Sequence, residues 1–330
     1  MKALRCKALG PASQLVLEDV AEPALGPGQV LLRVHAAGVN FPDTLIIEGR
    51  YQFQPPLPFS PGGEAAGVVA AVGEQVKGFK IGDRVMALTG WGSFAEYVAV
   101  DQHQVLPMPG TMDFTTAAGF AMTYGTALHA LTQRGRLQPE ETLLVLGASG
   151  GVGLAAVEIG KALGARVIAA ASHPDKLAVA RQAGADEAID YSQASLKDEI
   201  KRLTAGQGVD VVFDPVGGAL TEQALRGLAW DGRLLVVGFA SGEIAQLAAN
   251  LTLLKGAAVV GVFWGAFAQR QAQANAANFQ RLFAWHATGR LKPLVSQTYA
   301  LANAGQAIER LARRQAVGKL VVQVVADAQA

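Results

Sequence analysis

Between residues 142 and 160 the sequence TLLVLGASGGVGLAAVEIG joins an apolar strand, a glycine-rich turn and the start of a helix. Against the dinucleotide fingerprint G-x-G-x-x-G, the turn has alanine in the first place and glycine in the second and third, at Gly150 and Gly153. The second glycine admits a pyrophosphate close to the backbone, and the third lets the helix pack on the strand. A helix beginning near residue 151 would present free N–H groups to that anion. Taken alone, such a turn could be an empty tight turn, but the strand before it, the helix after it and the next strand RVIAAA favour a dinucleotide site formed by Ser149, Gly150, Gly151, Val152 and Gly153.

The end of the next strand, RVIAAA, indicates which dinucleotide is bound. An acidic residue there would bind the ribose hydroxyls of NAD, but Ser172 holds that place, nineteen residues past Gly153. A hydroxyl, with the ammonium of Lys176 following, would accept the 2′-phosphate of NADPH, which a carboxylate would repel. Two observations oppose this interpretation: Ser172 could instead cap a helix beginning at Pro174, and Asp175 adds a negative charge. The pattern favours NADPH.

Composition and charge exclude several classes of protein. The chain has 330 residues, 51% hydrophobic and 17% charged, which is typical of a folded protein rather than a disordered one. A net charge of +1 lacks the concentrated basic surface that nucleic acid requires. One cysteine, Cys6, permits neither an intrachain disulfide nor a thiolate cluster. No apolar run follows Lys2, Arg5 and Lys7, so we expect no signal peptide, and the apolar stretch 256–268 is too short to span a bilayer. We therefore expect a cytoplasmic protein with no membrane partner.

The pattern of apolar runs and turn residues changes near residue 116. Before it, short apolar runs alternate with Gly and Pro turn signals, which predicts a many-stranded, β-rich region. After it, apolar strands alternate with helical runs, which predicts a parallel sheet covered by helices. From 269 a long helix, a second helix and the strand KLVVQVV follow, too few elements for a separate domain. We predict an α/β protein with a β-rich domain (1–115 and 269–330) and a doubly wound Rossmann domain (116–268).

The chain resembles the medium-chain dehydrogenase/reductase superfamily, and within it the zinc-free quinone oxidoreductases. The resemblance extends nearly from end to end, and the order and spacing of the motifs carry it. The matching segments are GVNFPDTLIIEGRY (38–51), PGGEAAGVVAAVG (61–73), GDRVMAL (82–88), GSFAEYV (92–98), GASGGVG (147–153), VDVVFDPVGG (209–218) and GKLVV (318–322). By this resemblance the β-rich domain is GroES-like.

The chain departs from the zinc-dependent branch of that superfamily at its ligand positions. Asn40 stands where those enzymes have a cysteine, and Gly62-Gly63-Glu64 stands where they have Gly-His-Glu. Their four-cysteine lobe has no counterpart, and the five histidines occupy none of the ligand positions. We therefore expect no zinc. Without a Lewis acid, hydride transfer to an acceptor that is already electrophilic is favoured over alcohol oxidation.

The resemblance also implies roles for individual residues. Asn40 and Asp43 would lie by the nicotinamide, Thr123 close to it, and Tyr51 near the acceptor as a hydrogen-bond donor or gate. Each has a plainer alternative: Asn40 and Asp43 could only hold a loop, and Tyr51 could be an ordinary loop aromatic. The implied cofactor-binding residues beyond the glycine turn are Ser172, Lys176, Tyr191, Gly238, Phe239, Val262, Phe263, Trp264 and Lys319. For Trp264, a place in the core or an interface is an equal alternative, and Tyr191 could simply end a strand.

Together these features predict an enzyme that reduces quinones or α,β-unsaturated carbonyls with NADPH. The alternatives are an enoyl-thioester reductase and a non-catalytic relative that binds NADPH. The family commonly pairs its Rossmann domains through the strand that matches VVGVFW, so the resemblance implies a homodimer. The sequence does not name the acceptor or the source of the proton, for which water and Tyr51 are both candidates.

Overall fold

The structure is a computed structural model that describes residues 1–325. In chain order the strands are β1 (Lys2–Arg5), β2 (Val16–Asp19), β3 (Gln29–Val39), β4 (Glu64–Val72), β5 (Arg84–Leu88), β6 (Tyr97–Asp101), β7 (Val105–Pro107), β8 (Thr142–Leu146), β9 (Arg166–Ala171), β10 (Glu187–Asp190), β11 (Val209–Asp214), β12 (Leu228–Val236), β13 (Ala258–Gly261), β14 (Val295–Ala300) and β15 (Lys319–Gln323).

The α-helices are α1 (Phe41–Ile46), α2 (Phe114–Ala118), α3 (Ala121–His129), α4 (Gly151–Ala162), α5 (Pro174–Gln182), α6 (Leu196–Leu203), α7 (Ala219–Arg226), α8 (Ala249–Lys255), α9 (Trp264–Arg270), α10 (Ala272–Ala287) and α11 (Ala304–Ala312). A π-helical turn, Ala130–Arg134, extends α3, and short 3₁₀ helices lie at Ala12–Gln14, Gln102–Gln104 and Leu301–Asn303. Within residues 1–325, no helix combines the length and the apolar character needed to cross a bilayer.

The chain forms two compact units. Unit 1 comprises Met1–Met122 and the described residues from Pro293 onward, and unit 2 comprises Thr123–Lys292. These limits differ from the predicted ones, 115/116 and 268/269. The long helix beyond residue 268 belongs to unit 2, because Trp264 of α9 bonds to Asn275 of α10 through its indole N–H (3.1 Å).

Unit 1 is built on a seven-stranded sheet in the order β14-β15-β3-β4-β5-β7, with β6 also paired to β3. Its strands pair antiparallel except β14 and β15, which are parallel. The long strand β3 alternates partly exposed and fully buried residues, and its buried side chains join a core that includes Phe94 and Ile308. The β-rich character of this unit is confirmed.

Unit 2 is built on a six-stranded parallel sheet in the order β10-β9-β8-β11-β12-β13. Numbered from β8, this is the 3-2-1-4-5-6 order of the doubly wound dinucleotide-binding fold. The central strand β8, TLLVL, is buried along its whole length, as expected for a strand covered on both faces. The parallel sheet and the alternation of strands and helices predicted for this region are present.

Candidate active site

The glycine turn lies between β8 and α4, at the point where the strand order reverses. Ligands of such sheets bind beyond the carboxyl ends of the strands at this place. A Cβ atom on Gly153 would lie 2.3 Å from the carbonyl oxygen of Gly147, so the packing of α4 on β8 itself requires that glycine. A Cβ on Gly150 would meet the same oxygen at an ordinary 3.6 Å. Internal packing therefore does not require glycine at position 150, and the absence of a side chain there leaves room for a ligand.

The start of α4 is suited to an anion. Gly150 precedes the helix in an extended conformation and carries no capping side chain, so the first N–H groups of α4 have no side-chain cap there. Ser149 is buried in the turn, whereas Gly151 and Val152 are half-buried. A pyrophosphate fits this arrangement because it can accept those N–H groups at the positive end of the helix dipole.

Most of the other predicted cofactor residues follow the carboxyl ends of the parallel strands of unit 2. Ser172 follows β9, Tyr191 follows β10, Gly238 and Phe239 come shortly after β12, and Val262 follows β13. Backbone hydrogen bonds continue the strand pairing at these points, from Tyr191 N–H to Ala171 (3.2 Å) and from Val262 N–H to Val236 (2.9 Å). The fold therefore brings these residues to the same edge of the sheet as the glycine turn.

At the end of β9 the structure decides between two interpretations of Ser172. Helix α5 begins at Pro174 as predicted, but its N-cap is His173, whose Nδ1 accepts the N–H of Asp175 (3.3 Å). Capping is therefore not the role of Ser172. An acidic and a basic side chain, Asp190 and His173, both lie nearby. Hydrogen bonds from Ser192 lower the pKa of Asp190, and the charge of His173 lowers it by less.

The segment after β13 divides between surface and core. Phe263 is 63% exposed, whereas Trp264 is buried and donates its indole N–H to Asn275. The indole also lies against α3, where a Cβ on Gly125 would meet it at 2.5 Å. Of the alternatives for Trp264, the structure shows core packing. Thr123, two residues before Gly125, is buried in the first turn of α3.

In unit 1 four buried polar side chains form one hydrogen-bonded group, here called the polar cluster: Asn40, Asp43, Glu64 and Lys319. The Nζ of Lys319 lies 2.5 Å from Oε1 of Glu64 and 2.5 Å from Oδ1 of Asn40. Asn40 in turn donates from Nδ2 to Oε1 of Glu64 (2.9 Å). The other carboxylate oxygen of Glu64 accepts the backbone N–H of Met122 (2.9 Å). Every charge of this ion pair is thus met by a partner, as burial requires.

Asp43 holds the first turn of α1. One carboxylate oxygen accepts the backbone N–H of Asn40 (2.7 Å), and the other accepts that of Gly62 (3.2 Å). Burial raises the pKa of Asp43 to about 7, and the charge of Glu64 adds to the rise. The two N–H groups and the ammonium of Lys319 oppose it. The loop-holding role that the sequence left as an alternative for Asp43 is therefore present, together with titration near neutral pH.

Tyr51 belongs to an aromatic patch of unit 1 formed with Phe53 and Trp91. The ring of Phe53 meets that of Tyr51 edge to face at 5.0 Å and that of Trp91 at 5.7 Å, measured between centroids. Phe53 and Trp91 are each 42% exposed, and Tyr51 is half-buried. Burial, and then the charge of Asp43, raises the pKa of Tyr51, so its hydroxyl keeps its proton at neutral pH and can donate a hydrogen bond.

Sequence reasoning missed the ion pair. It assigned Lys319 to the cofactor lining and gave Glu64 no role, whereas the structure bonds the two to each other and to Asn40. A signal was present, because each charged residue opens an otherwise apolar strand, EAAGVVAAV in β4 and KLVVQ in β15. Charges at the ends of buried strands need partners of opposite sign. Within residues 1–325, no group of three or more His, Cys, Asp or Glu side chains could hold a metal ion.

Comparisons with known proteins agree along the whole chain. Residues 26–110 match the alcohol dehydrogenase GroES-like domain, and residues 151–281 match the family described as zinc-binding dehydrogenase. A quinone oxidoreductase-like protein 2 homolog of Nematostella vectensis is 38% identical over 325 residues, which cover 97% of this chain and 88% of the relative.

Solved structures give the same result. A quinone oxidoreductase of Pseudomonas syringae is 33% identical with a TM-score of 0.92, and the match covers 98% of this chain and 99% of that one. The Escherichia coli quinone oxidoreductase, solved in complex with NADPH, is 29% identical with a TM-score of 0.90 over 98% of this chain and all of its own.

Proposed function

The chain belongs to the quinone oxidoreductase family of the medium-chain dehydrogenase/reductase superfamily, and from that membership we propose that it reduces quinones or α,β-unsaturated carbonyls with NADPH, without zinc. The observation that carries the proposal is the open place at Gly150 beside the uncapped start of α4, at the reversal of strand order. The Escherichia coli relative complexed with NADPH supports the identity of the ligand. When bound, NADPH supplies the hydride.

Zinc does not fit the polar cluster of unit 1. A zinc site needs three or four deprotonated ligands drawn from cysteine, histidine and carboxylates. Asn40 contributes a neutral amide, and the ammonium of Lys319 already meets the charge of Glu64 at 2.5 Å. A second cation beside that ammonium would be repelled. Activation of the acceptor is then left to hydrogen bonding.

The aromatic patch supports a flat acceptor. Phe53 and Trp91 expose ring surface on which a quinone could stack, and stacking of this kind favours extended aromatic systems. The patch lies beside the loop that Asp43 holds. Cζ of Phe53 is 3.9 Å from the position that a Cβ atom would take on Gly90, and the N–H of Gly90 donates to the carbonyl of Gly63 in that loop. The hydroxyl of Tyr51 would donate a hydrogen bond to the acceptor oxygen.

The cofactor assignment is tested by a matched pair of variants. Gly150→Ala places a methyl group where only ordinary contacts await it, so folding should change by less than about 1 kcal/mol. NADPH affinity, measured by calorimetry, should fall at least tenfold because the methyl group occupies the place of the pyrophosphate. Gly153→Ala is the control for packing, since its methyl group would lie 2.3 Å from a carbonyl oxygen and should destabilise the fold. Unchanged NADPH affinity in Gly150→Ala refutes the site.

The reaction is tested with the purified chain, NADPH or NADH, and a panel of acceptors. We expect oxidation of NADPH by 1,4-benzoquinone and 9,10-phenanthrenequinone, with slower turnover of 2-cyclohexenone. Faster turnover of crotonyl-CoA than of any quinone would identify an enoyl-thioester reductase. Binding of NADPH with no turnover of any acceptor would identify a non-catalytic relative.

We also propose that two copies associate along β13. This strand is the edge of the sheet of unit 2, and an exposed apolar edge invites pairing with a second chain. Val259 is 40% exposed on that strand, and Leu253 in the preceding helix is 80% exposed. Light scattering should give twice the mass of one chain for the wild type and the mass of one chain for Val259→Lys. Ile244→Lys, at an exposed site elsewhere in unit 2, is the control.

A further inference from the structure

Glu158 is a buried carboxylate in the middle of α4 that the cofactor site does not use. It is 8% exposed, and its Oε2 accepts the hydroxyl of Tyr124 (2.7 Å) and the backbone N–H of Lys292 (3.1 Å). Burial raises the pKa of Glu158, whereas these two donors and the charge of Lys292 oppose the rise. Burying a carboxylate costs free energy unless hydrogen bonds compensate. Glu158 has two such hydrogen-bond partners, and their positions in the chain indicate its role.

Both partners lie where the chain passes between the units. Unit 2 begins at Thr123, so Tyr124 is its second residue, and Lys292 is its last. The second passage has a further bond to the same helix: Arg290 donates from Nη2 to the carbonyl of Ala162, the last residue of α4 (3.0 Å). We call residues 123–125 the entry segment and residues 290–292 the exit segment. Both are bonded to α4.

Helix α4 joins these bonds to the glycine turn. It begins at Gly151 and reaches Glu158 after seven residues, about two turns of a rigid rod. The entry segment also carries Thr123, next to the residue that Glu158 binds. A displacement of α4 at its start would therefore reach the entry segment through Glu158, and the exit segment through Glu158 and Arg290.

We propose that Glu158 is a positioning residue that couples the glycine turn to the entry and exit segments. The anchoring stands on the hydrogen bonds alone, whereas the coupling to a ligand rests on the proposed binding of NADPH.

Hydrogen exchange of the full chain tests the anchoring without any ligand. In Glu158→Ala the amides of both segments should exchange about tenfold faster, because a lost buried hydrogen bond is worth roughly 1.4 kcal/mol. Glu158→Gln should exchange like the wild type, since its amide oxygen can accept both bonds. Glu222→Ala, which removes an exposed ion pair with Arg226 on α7, is the control and should leave both segments unchanged. Equal exchange in Glu158→Ala and the wild type overturns the anchoring, and so does a uniform increase across unit 2, which would indicate only general destabilisation.

Addition of NADPH then tests the coupling. Saturating NADPH should slow exchange in both segments of the wild type and of Glu158→Gln, but not of Glu158→Ala. If the segments of Glu158→Ala respond to NADPH as the wild type does, the coupling is refuted while the anchoring stands. If the wild type binds no NADPH, the proposed function fails and the ligand-free result still decides the anchoring. Should Glu158→Ala not fold, Tyr124→Phe removes one donor and must loosen the entry segment more than the exit segment.

Discussion

Replacing Lys319 by methionine should strongly destabilise the protein. Methionine keeps most of the apolar stem but leaves Glu64, 1% exposed, without the ammonium that lies 2.5 Å from its carboxylate. Removing one partner of a buried ion pair costs about 3 to 5 kcal/mol. We therefore expect the free energy of unfolding to fall by about 4 kcal/mol.

Glu64→Gln tests the same ion pair from its other side. It leaves the buried ammonium of Lys319 without its carboxylate, so we expect a loss of similar size.

Urea unfolding at pH 7 measures both losses, with the double variant Lys319→Met/Glu64→Gln completing the cycle. The double variant should lose less stability than the sum of the single ones, because it leaves no unpaired charge. Losses below about 1 kcal/mol in both single variants would show that the ion pair does not stabilise the fold. Additive losses in the double variant would show that the two side chains do not interact.

Three further predictions concern the two candidate sites. The pKa of Asp43 is about 7 in the folded protein, whereas the unfolded chain releases this proton near pH 3.8. The free energy of unfolding of the wild type should therefore fall by up to about 4 kcal/mol between pH 4 and 7. Asp43→Asn should remove this pH dependence from urea unfolding curves. Tyr51→Phe should lower kcat for 1,4-benzoquinone about tenfold by removing one hydrogen bond to the acceptor oxygen, and unchanged turnover would end its role as a donor. Lys176→Ala should weaken NADPH at least tenfold and leave NADH unchanged, with Lys197→Ala as the surface control, whereas equal losses for the two cofactors would refute a 2′-phosphate contact.

The fold of unit 2 could be predicted from the sequence because its signals are local. Most strands of the parallel sheet contain an apolar run and alternate with helices, and hydrophobic periodicity identifies such runs without knowledge of their neighbours. The assignment of α10 could not be made in this way. Its amphipathic pattern predicts a helix, but the unit against which it packs depends on contacts such as Gln133 with Asn278, 145 residues apart (3.0 Å).

The candidate sites also differ in how far the sequence alone predicts them. The glycine turn is contiguous in sequence, so residue types and spacing were enough to locate it. The polar cluster of unit 1 is assembled from the start of α1 and the first residues of β4 and β15, and the bond from Lys319 to Asn40 spans 279 residues. The helix cap at α5 was missed for a different reason: His173 is an unusual capping residue, and propensity favoured the serine before it.

The burial of the polar cluster limits what its members can do in a reaction. Glu64 and Lys319 bind each other, and both carboxylate oxygens of Asp43 accept backbone N–H groups, so all three side chains help to hold unit 1 together. Tyr51 differs, because it is half-buried and its hydroxyl keeps its proton. This division suits a reaction whose reactive hydride resides on the cofactor, since the protein then needs to align two molecules and supply one hydrogen bond. Asp43 fixes the backbone at Asn40 and Gly62, and the proposed contact with the acceptor falls to the uncharged Tyr51.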